Sequence, residues 1–434
     1  MDARTLRADF LRQCARYWPY GAEPLGLLPM PALDLAETEP LPPACRLVAL
    51  PEWAADTGVD GALLAPEHCA DAPAWNRVDW PLAGAWFLHS LAERAHEKLH
   101  GPIHSYAFRL RGWRKSMWER AWANRIALFL RRWTARESGR SEESLFGPLP
   151  QAEIIMTFDV DAIGLTPQIR LKQGVFNLLN AIRAAAGCRF GTGMRLAGKA
   201  FRFFLGPGEV WPLSAAARMC AQKGLRAVFT IPGLPGGSFR ENPKRWLFDP
   251  AYDPDEIRAA IRSLADAGHT IGLHPSFMLW RSGAMLAESR RRLHTIAGRP
   301  VAWCRQHWLR FSFAETWRAQ QDAGLSRDCT LGFNDLAGFR NGAAFAFSPW
   351  DAREGRPMDG LTAVPLVFMD SQAYDYAGGP ERGDFTAMRA VLDEVRAVRG
   401  TATVLWHPHT LYPAYGWEEG LQRLAEYVSD TAEE

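Results

Sequence analysis

The stretch EIIMTFDVDAIG, residues 153–164, is an apolar run that ends on two carboxylates, Asp159 and Asp161, just before a glycine. Side chains alternate along a strand, so the two acids share a face. Their Cα atoms stand about 6.6 Å apart if the chain stays extended. Two acids at the end of a buried strand cost desolvation unless something there uses their charge.

Six further runs have strand character: 226–233, 269–274, 301–307, 328–333, 363–370 and 401–407. Amphipathic helical stretches such as 255–268 and 385–400 lie between them and end in glycine, as helix C-termini often do. This alternation predicts a parallel α/β sheet, open or closed into a barrel. Several strands finish on a chemically active residue: Asp159 and Asp161, His274, Arg305 and His307, Asp370, and His407. In a parallel barrel the C-terminal strand ends converge on one face, where active sites sit. The recurrence of such residues at strand ends points to an enzyme more strongly than any single motif.

Carboxylates and imidazoles brought together suit a divalent cation, with zinc the first candidate because it takes His nitrogen and Asp oxygen and leaves a position open. One acid can ligate while the other serves as a base, and water acidified by the metal can attack an acyl carbon. A second histidine can protonate a leaving amine, and an arginine beside the base keeps it ionised. The parts fit metal-assisted acyl hydrolysis.

At this point the chain resembles a family, the polysaccharide deacetylases of carbohydrate esterase family 4, which share the NodB homology domain. The resemblance implies a distorted TIM-like (β/α) barrel and metal-dependent removal of acetyl groups from N-acetylated sugars. Thr157-Phe158-Asp159-Val160-Asp161 resembles the family's T-F-D-D motif. It implies Asp159 as catalytic base and Asp161 as metal ligand, displaced by one position because Val160 fills the usual slot. Gly268-His269-Thr270-Ile271-Gly272-Leu273-His274 matches the second motif and implies His274 as a ligand. The family's next histidine falls where this chain has Met278, so His307 is the candidate replacement, with His409 behind it. Arg305 matches the arginine that steadies the base. His407, in Leu405-Trp406-His407, matches the general acid, and Asp370 the acid that orients it. The matches run in order over about residues 151–410.

His274-Pro275-Ser276, Arg305-Gln306-His307 and Gly338-Phe339-Arg340 are similar to a divergent subgroup linked to surface-polysaccharide biosynthesis. Arg340 is a candidate clamp for an anionic group. Among 18 tryptophans most are expected in the core, and Trp406, Trp280, Trp308 and Trp350 are the candidates for sugar stacking.

Residues 1–150 read as a helical and irregular lead-in that packs on the barrel of 151–434. Prolines cluster between Pro24 and Pro51, helices are expected over 78–100 and 113–133, and a polar run at 135–144 marks the boundary. Seven scattered cysteines without a CxxC read as reduced thiols, and no signal-like or membrane-spanning stretch stands out, so the expected location is cytoplasmic. The expected partner is then an N-acetylated sugar or oligosaccharide, nucleotide- or lipid-linked. Net charge is only +2, which gives no overall field toward nucleic acid or an anionic membrane.

Two other readings compete. A glycosyltransferase could hold a metal and diphosphate with the D-x-D pair, but it leaves His274, Arg305 and His407 idle. A sugar-binding barrel without catalysis would explain the missing second histidine. His96-Glu97-Lys98-Leu99-His100 also spells HExxH, a zinc-peptidase pattern. It reads as a chance match, because Lys98 puts charge inside it and Gly101-Pro102 ends the helix at once.

Overall fold

The computed structural model describes residues 2–35, 38–206, 213–235, 240, 242–249, 252–374 and 383–433. The N-terminal region carries an antiparallel hairpin, β1 (Cys45–Ala49) and β2 (Ala62–Pro66), which periodicity did not announce. Its main helices are Ala3–Gln13, Trp80–Leu88, Leu91–His100 and Trp122–Ser138. The helix expected over 78–100 is broken at Ser90, whose φ of 51° turns the chain. The one expected over 113–133 begins only at Trp122. Turns before it carry Met117 and Trp118 into the core instead.

The parallel strands are β3 (Glu153–Asp159), β4 (Ala227–Ile231), β5 (Thr270–Leu273), β6 (Trp303–Cys304) and β7 (Arg327–Asp328). A small antiparallel ribbon follows, β8 (Trp350–Asp351) with β9 (Arg356–Pro357). Then come β10 (Thr362–Ala363), β11 (Leu366–Met369) and β12 (Thr401–Trp406). The eight-stranded sheet has the order β10-β7-β6-β5-β4-β3-β12-β11. Its two edge strands, β10 and β11, are joined by Val364 and Pro365 alone, so the sheet must curl until its ends meet. No ladder closes that seam among the described residues, and Pro365 has no N–H to contribute. The result is a distorted, incompletely closed (β/α) barrel. The run expected as one strand over 363–370 is divided at the seam. The run over 328–333 contributes only its first residue to the ladder.

Strand alternation decides what faces inward. Thr157 and Asp159 point into the barrel, while Met156, Phe158 and Val160 join the core beneath the helices. Phe158 stacks on Phe229 with ring centroids 4.8 Å apart. Truncating such a buried ring costs about 3–5 kcal/mol.

A second core joins the N-terminal region to the segment 311–363, with Trp80, Phe129 and Trp133 in the same cluster as Phe311, Trp317 and Trp350. Ion pairs cross the same boundary: Arg125 is bidentate to Glu394 at 2.7 Å on both oxygens. Between β3 and β4 a helical hairpin, Pro167–Ala186 and Phe190–Leu205, stands out from the barrel.

Candidate active site

The first strand does not stay extended through both acids. β3 ends at Asp159, and the N–H of Asp161 donates to the Asp159 carbonyl at 3.1 Å, a tight three-residue turn about Val160. Asp159 is therefore held at the barrel floor and Asp161 is lifted toward the mouth. The Thr230 hydroxyl donates to Oδ1 of Asp159 at 2.5 Å, and Nη1 of Arg305 lies 3.6 Å from the same oxygen. Arg305 is fully buried. It is fixed by the Cys329 carbonyl at 2.9 Å and the Thr157 hydroxyl at 2.7 Å.

Asp161 is surrounded by imidazoles. Nε2 of His274 is 3.1 Å from its Oδ1, Nε2 of His307 is 3.4 Å from the same oxygen, and Nε2 of His407 is 3.9 Å from Oδ2. Burial opposes ionisation of Asp161, yet His307, His274 and His407 together hold it well below the usual carboxylate range. Asp161, His274 and His307 each offer a ligand atom within 4.8 Å of the others, the one group of three or more such residues among the described residues.

The donor chemistry fits a cation. Nδ1 of His274 donates to the Arg305 carbonyl at 2.9 Å, so Nε2 of the neutral ring carries a lone pair aimed at a carboxylate. Lone pair facing carboxylate is repulsive unless a positive charge lies between them or the ring takes a second proton. A carbonyl behind a histidine is also the usual support for a metal ligand. His307 is buried, and burial pushes its ring down to about 3 despite the attraction of Asp161, which keeps it neutral and able to ligate. A sharp bend follows it: Trp308 and Leu309 have φ of 58° and 47°, a left-handed pair directly after His307. Strained backbone of this kind concentrates at functional sites.

His407 follows β12. Its backbone N–H and Nδ1 both donate to Asp370, each at 2.8 Å. Burial favours the neutral ring, but Asp370 outweighs it and pushes the imidazolium up to about 10. Nε2 then carries a proton toward the cleft. That cleft has a volume of about 330 Å³ and is lined by Asp159, Asp161, His307 and His407.

Sequence reading missed several groups in this cleft. Lys172, on the helical hairpin, lies 5.2 Å over the ring of Trp308 and lines the cleft beside Asp161, with its ammonium lowered by burial. Tyr106 enters from the N-terminal region, and Tyr415 and Trp417 from the loop after β12. No motif marked them, because they are brought in by packing. Of the aromatic candidates, Trp308 lines the cleft.

Other candidates take different places. Arg340 is no anion clamp in the cleft. It is buried and paired with Glu93, Nη2 to Oε1 at 2.5 Å and Nε to Oε2 at 3.1 Å, joining barrel to N-terminal region. Trp406 faces the helices, since alternation on β12 sends Leu405 and His407 inward and Trp406 out against Tyr374. Trp350 belongs to the second core, and Trp280 is buried beside His104. Met278 is half exposed and touches Arg310, away from the imidazoles. His409 stands behind His407, ring centroids 5.6 Å apart, and is outside the three-ligand group. In HExxH, Glu97 accepts from the Ser312 hydroxyl and the N–H groups of Phe313 and Ala314, a structural cap for that turn. Asp335 caps a turn in the same way, accepting from Ala107 and Phe108.

No family model matches the chain, and no curated protein matches it. Solved structures do. A protein from Mycobacterium smegmatis described as a candidate polysaccharide deacetylase shares 19% identity over 65% of this chain and 84% of its own, with a TM-score of 0.36. An allantoinase shares 16% identity over 55% of this chain and 70% of its own, with a TM-score of 0.34. A peptidoglycan N-acetylglucosamine deacetylase shares 12% identity over 66% and 85%, with a TM-score of 0.31. The chain resembles the polysaccharide deacetylases in its motifs, and solved deacetylases are among the structures it matches.

Proposed function

We propose that the protein is a metal-dependent hydrolase that removes an acetyl or related acyl group from an N-acetylated sugar. The observation that carries this reading is the meeting, in one cleft, of a steadied carboxylate (Asp159 with Arg305 and Thr230), a three-residue ligand set, and an oriented imidazolium (His407 on Asp370). Asp161, His274 and His307 would hold the cation, with zinc the first candidate. When bound, the cation supplies positive charge that polarises the acyl oxygen and acidifies water.

Asp159 takes a proton from the attacking water. The Thr230 hydroxyl and Arg305 both engage Oδ1 of that carboxylate and so fix its orientation in the cleft. His407 gives its Nε2 proton to the departing amine, and Asp370 holds the ring in the tautomer that allows it. Trp308 and Tyr415 offer apolar walls for a sugar face.

The D-x-D transferase reading is less well supported. Asp159 is drawn down onto Thr230 and Arg305 while Asp161 stands among imidazoles, so the two acids serve different neighbours. The test is acetate release by zinc-loaded protein from N-acetylhexosamine oligosaccharides and their nucleotide- and lipid-linked forms. Turnover lost in Asp159→Asn supports the proposal. Absence of acetate from every substrate would favour a non-catalytic sugar-binding barrel.

A further inference from the structure

The helical hairpin between β3 and β4 has a composition unlike the rest of the chain. From Ala162 to Gly208 there are seven basic residues and no acidic one, in a protein whose overall charge is only +2. Its apolar side chains are also out of place. On the first helix, Leu171, Val175, Leu178, Leu179 and Ile182 recur every three or four residues, a single stripe, and all are exposed. On the second, Phe190, Met194, Phe201 and Leu205 form a matching stripe, with Phe190 65% and Met194 and Leu205 each 78% exposed.

The inner faces are satisfied. A Cβ on Gly174 would come within 2.4 Å of the Phe204 ring, so the helices pack tightly there, and Arg170 ties them by donating to the carbonyls of Phe203 and Phe204. The stripes are thus surplus to packing within the chain. An apolar face this large on a soluble surface marks an interaction site.

We infer that this hairpin docks the protein on an anionic phospholipid surface, apolar stripes in the interface and basic side chains against the head groups. The charge pattern selects that partner: a run of positive charge without one acid suits lipid phosphates, and amphipathic helices of this kind lie in the interface plane. None of the described helices is long and apolar enough to cross a membrane, so the contact is peripheral. The hairpin also borders the candidate active site. Lys172 and Phe176 line the catalytic cleft, and a groove of about 960 Å³ between the hairpin and residues 413–417 shares Phe176, Tyr415 and Trp417 with it. Docking therefore brings the cleft mouth to the lipid surface, where a lipid-linked sugar would present its head group. The docking itself does not depend on the hydrolytic reading.

The test is co-sedimentation of the full chain with vesicles of mixed phosphatidylglycerol and phosphatidylcholine against phosphatidylcholine alone, with light scattering to give the oligomeric state. Expected is binding to the mixed vesicles that weakens with salt. Phe190→Glu with Met194→Glu, and separately Arg183→Glu with Arg189→Glu, should each reduce it by roughly tenfold. These side chains are exposed, so circular dichroism and the unfolding midpoint should not change. Binding no stronger to mixed vesicles than to neutral ones would overturn the inference. So would a solution dimer that the Phe190→Glu, Met194→Glu variant splits, since a second copy would then be the occupant.

Discussion

Nδ1 of His274 donates to the main-chain carbonyl of Arg305 at 2.9 Å, so the residue that steadies the candidate base also orients a candidate metal ligand. The side chain and the carbonyl of Arg305, the residue just after β6, thereby couple the two halves of the site. The coupling requires parallel β5 and β6, whose register pairs Leu273 with Cys304 and so puts His274 beside Arg305.

Bound metal is the first prediction. Elemental analysis of the purified protein after incubation with zinc should give near-stoichiometric metal, and His274→Ala, His307→Ala or Asp161→Asn should each lower affinity by about 10–100-fold or more. His100→Ala should retain it. Metal lost with His100 and kept with His274 would replace this site by the HExxH helix.

The acid and base separate from the ligands in kinetics. Asp159→Asn and His407→Ala should each lower kcat by about 10²–10⁴-fold while metal content stays near that of the wild type. Asp370→Asn should lower kcat as well, by letting the His407 ring turn. If Asp159→Asn loses metal as fast as activity, the division of labour between the two acids is wrong.

Arg340 provides a test of structure against substrate binding. Glu93→Gln or Arg340→Ala leaves a buried charge without its partner, which costs about 3–5 kcal/mol. Chemical denaturation should read that loss, while KM of the surviving folded enzyme should be unchanged. A raised KM without loss of stability would restore Arg340 to the cleft.

His104 should make the protein sensitive to acid. Burial, helped by Arg310 and Arg109, lowers its ring from 6.5 to about 4. The folded ring holds its proton more weakly than the unfolded one. Its contribution is therefore complete above pH 6.5 and is lost as the pH falls toward 4. The unfolding midpoint of the wild type should fall over that window, and His104→Gln should show a shallower fall. Parallel slopes for the two proteins would remove His104 from the account.

Much of this was written in local sequence. Short apolar runs located β3 and β12 to within a residue or two, and polar groups at strand ends singled out Asp159, His274, Arg305 and His407 as candidates. These are signals carried within six or seven residues, where side-chain direction follows from backbone period alone. Tertiary structure decided the rest. Whether an arginine meets a substrate or a buried glutamate depends on Glu93, distant in the chain from Arg340. Trp406 and His407 are neighbours in sequence and opposites in space, because the strand turns each to a different face. His307 meets Asp161 at 3.4 Å just before the left-handed bend at Trp308, and the cleft is completed by Tyr106, Lys172 and Trp417 from three other parts of the chain. The physical reason is common to all of these. Sequence sets the period of an element and the chemistry of its ends, but which ends meet is set by the burial of apolar surface over the whole chain.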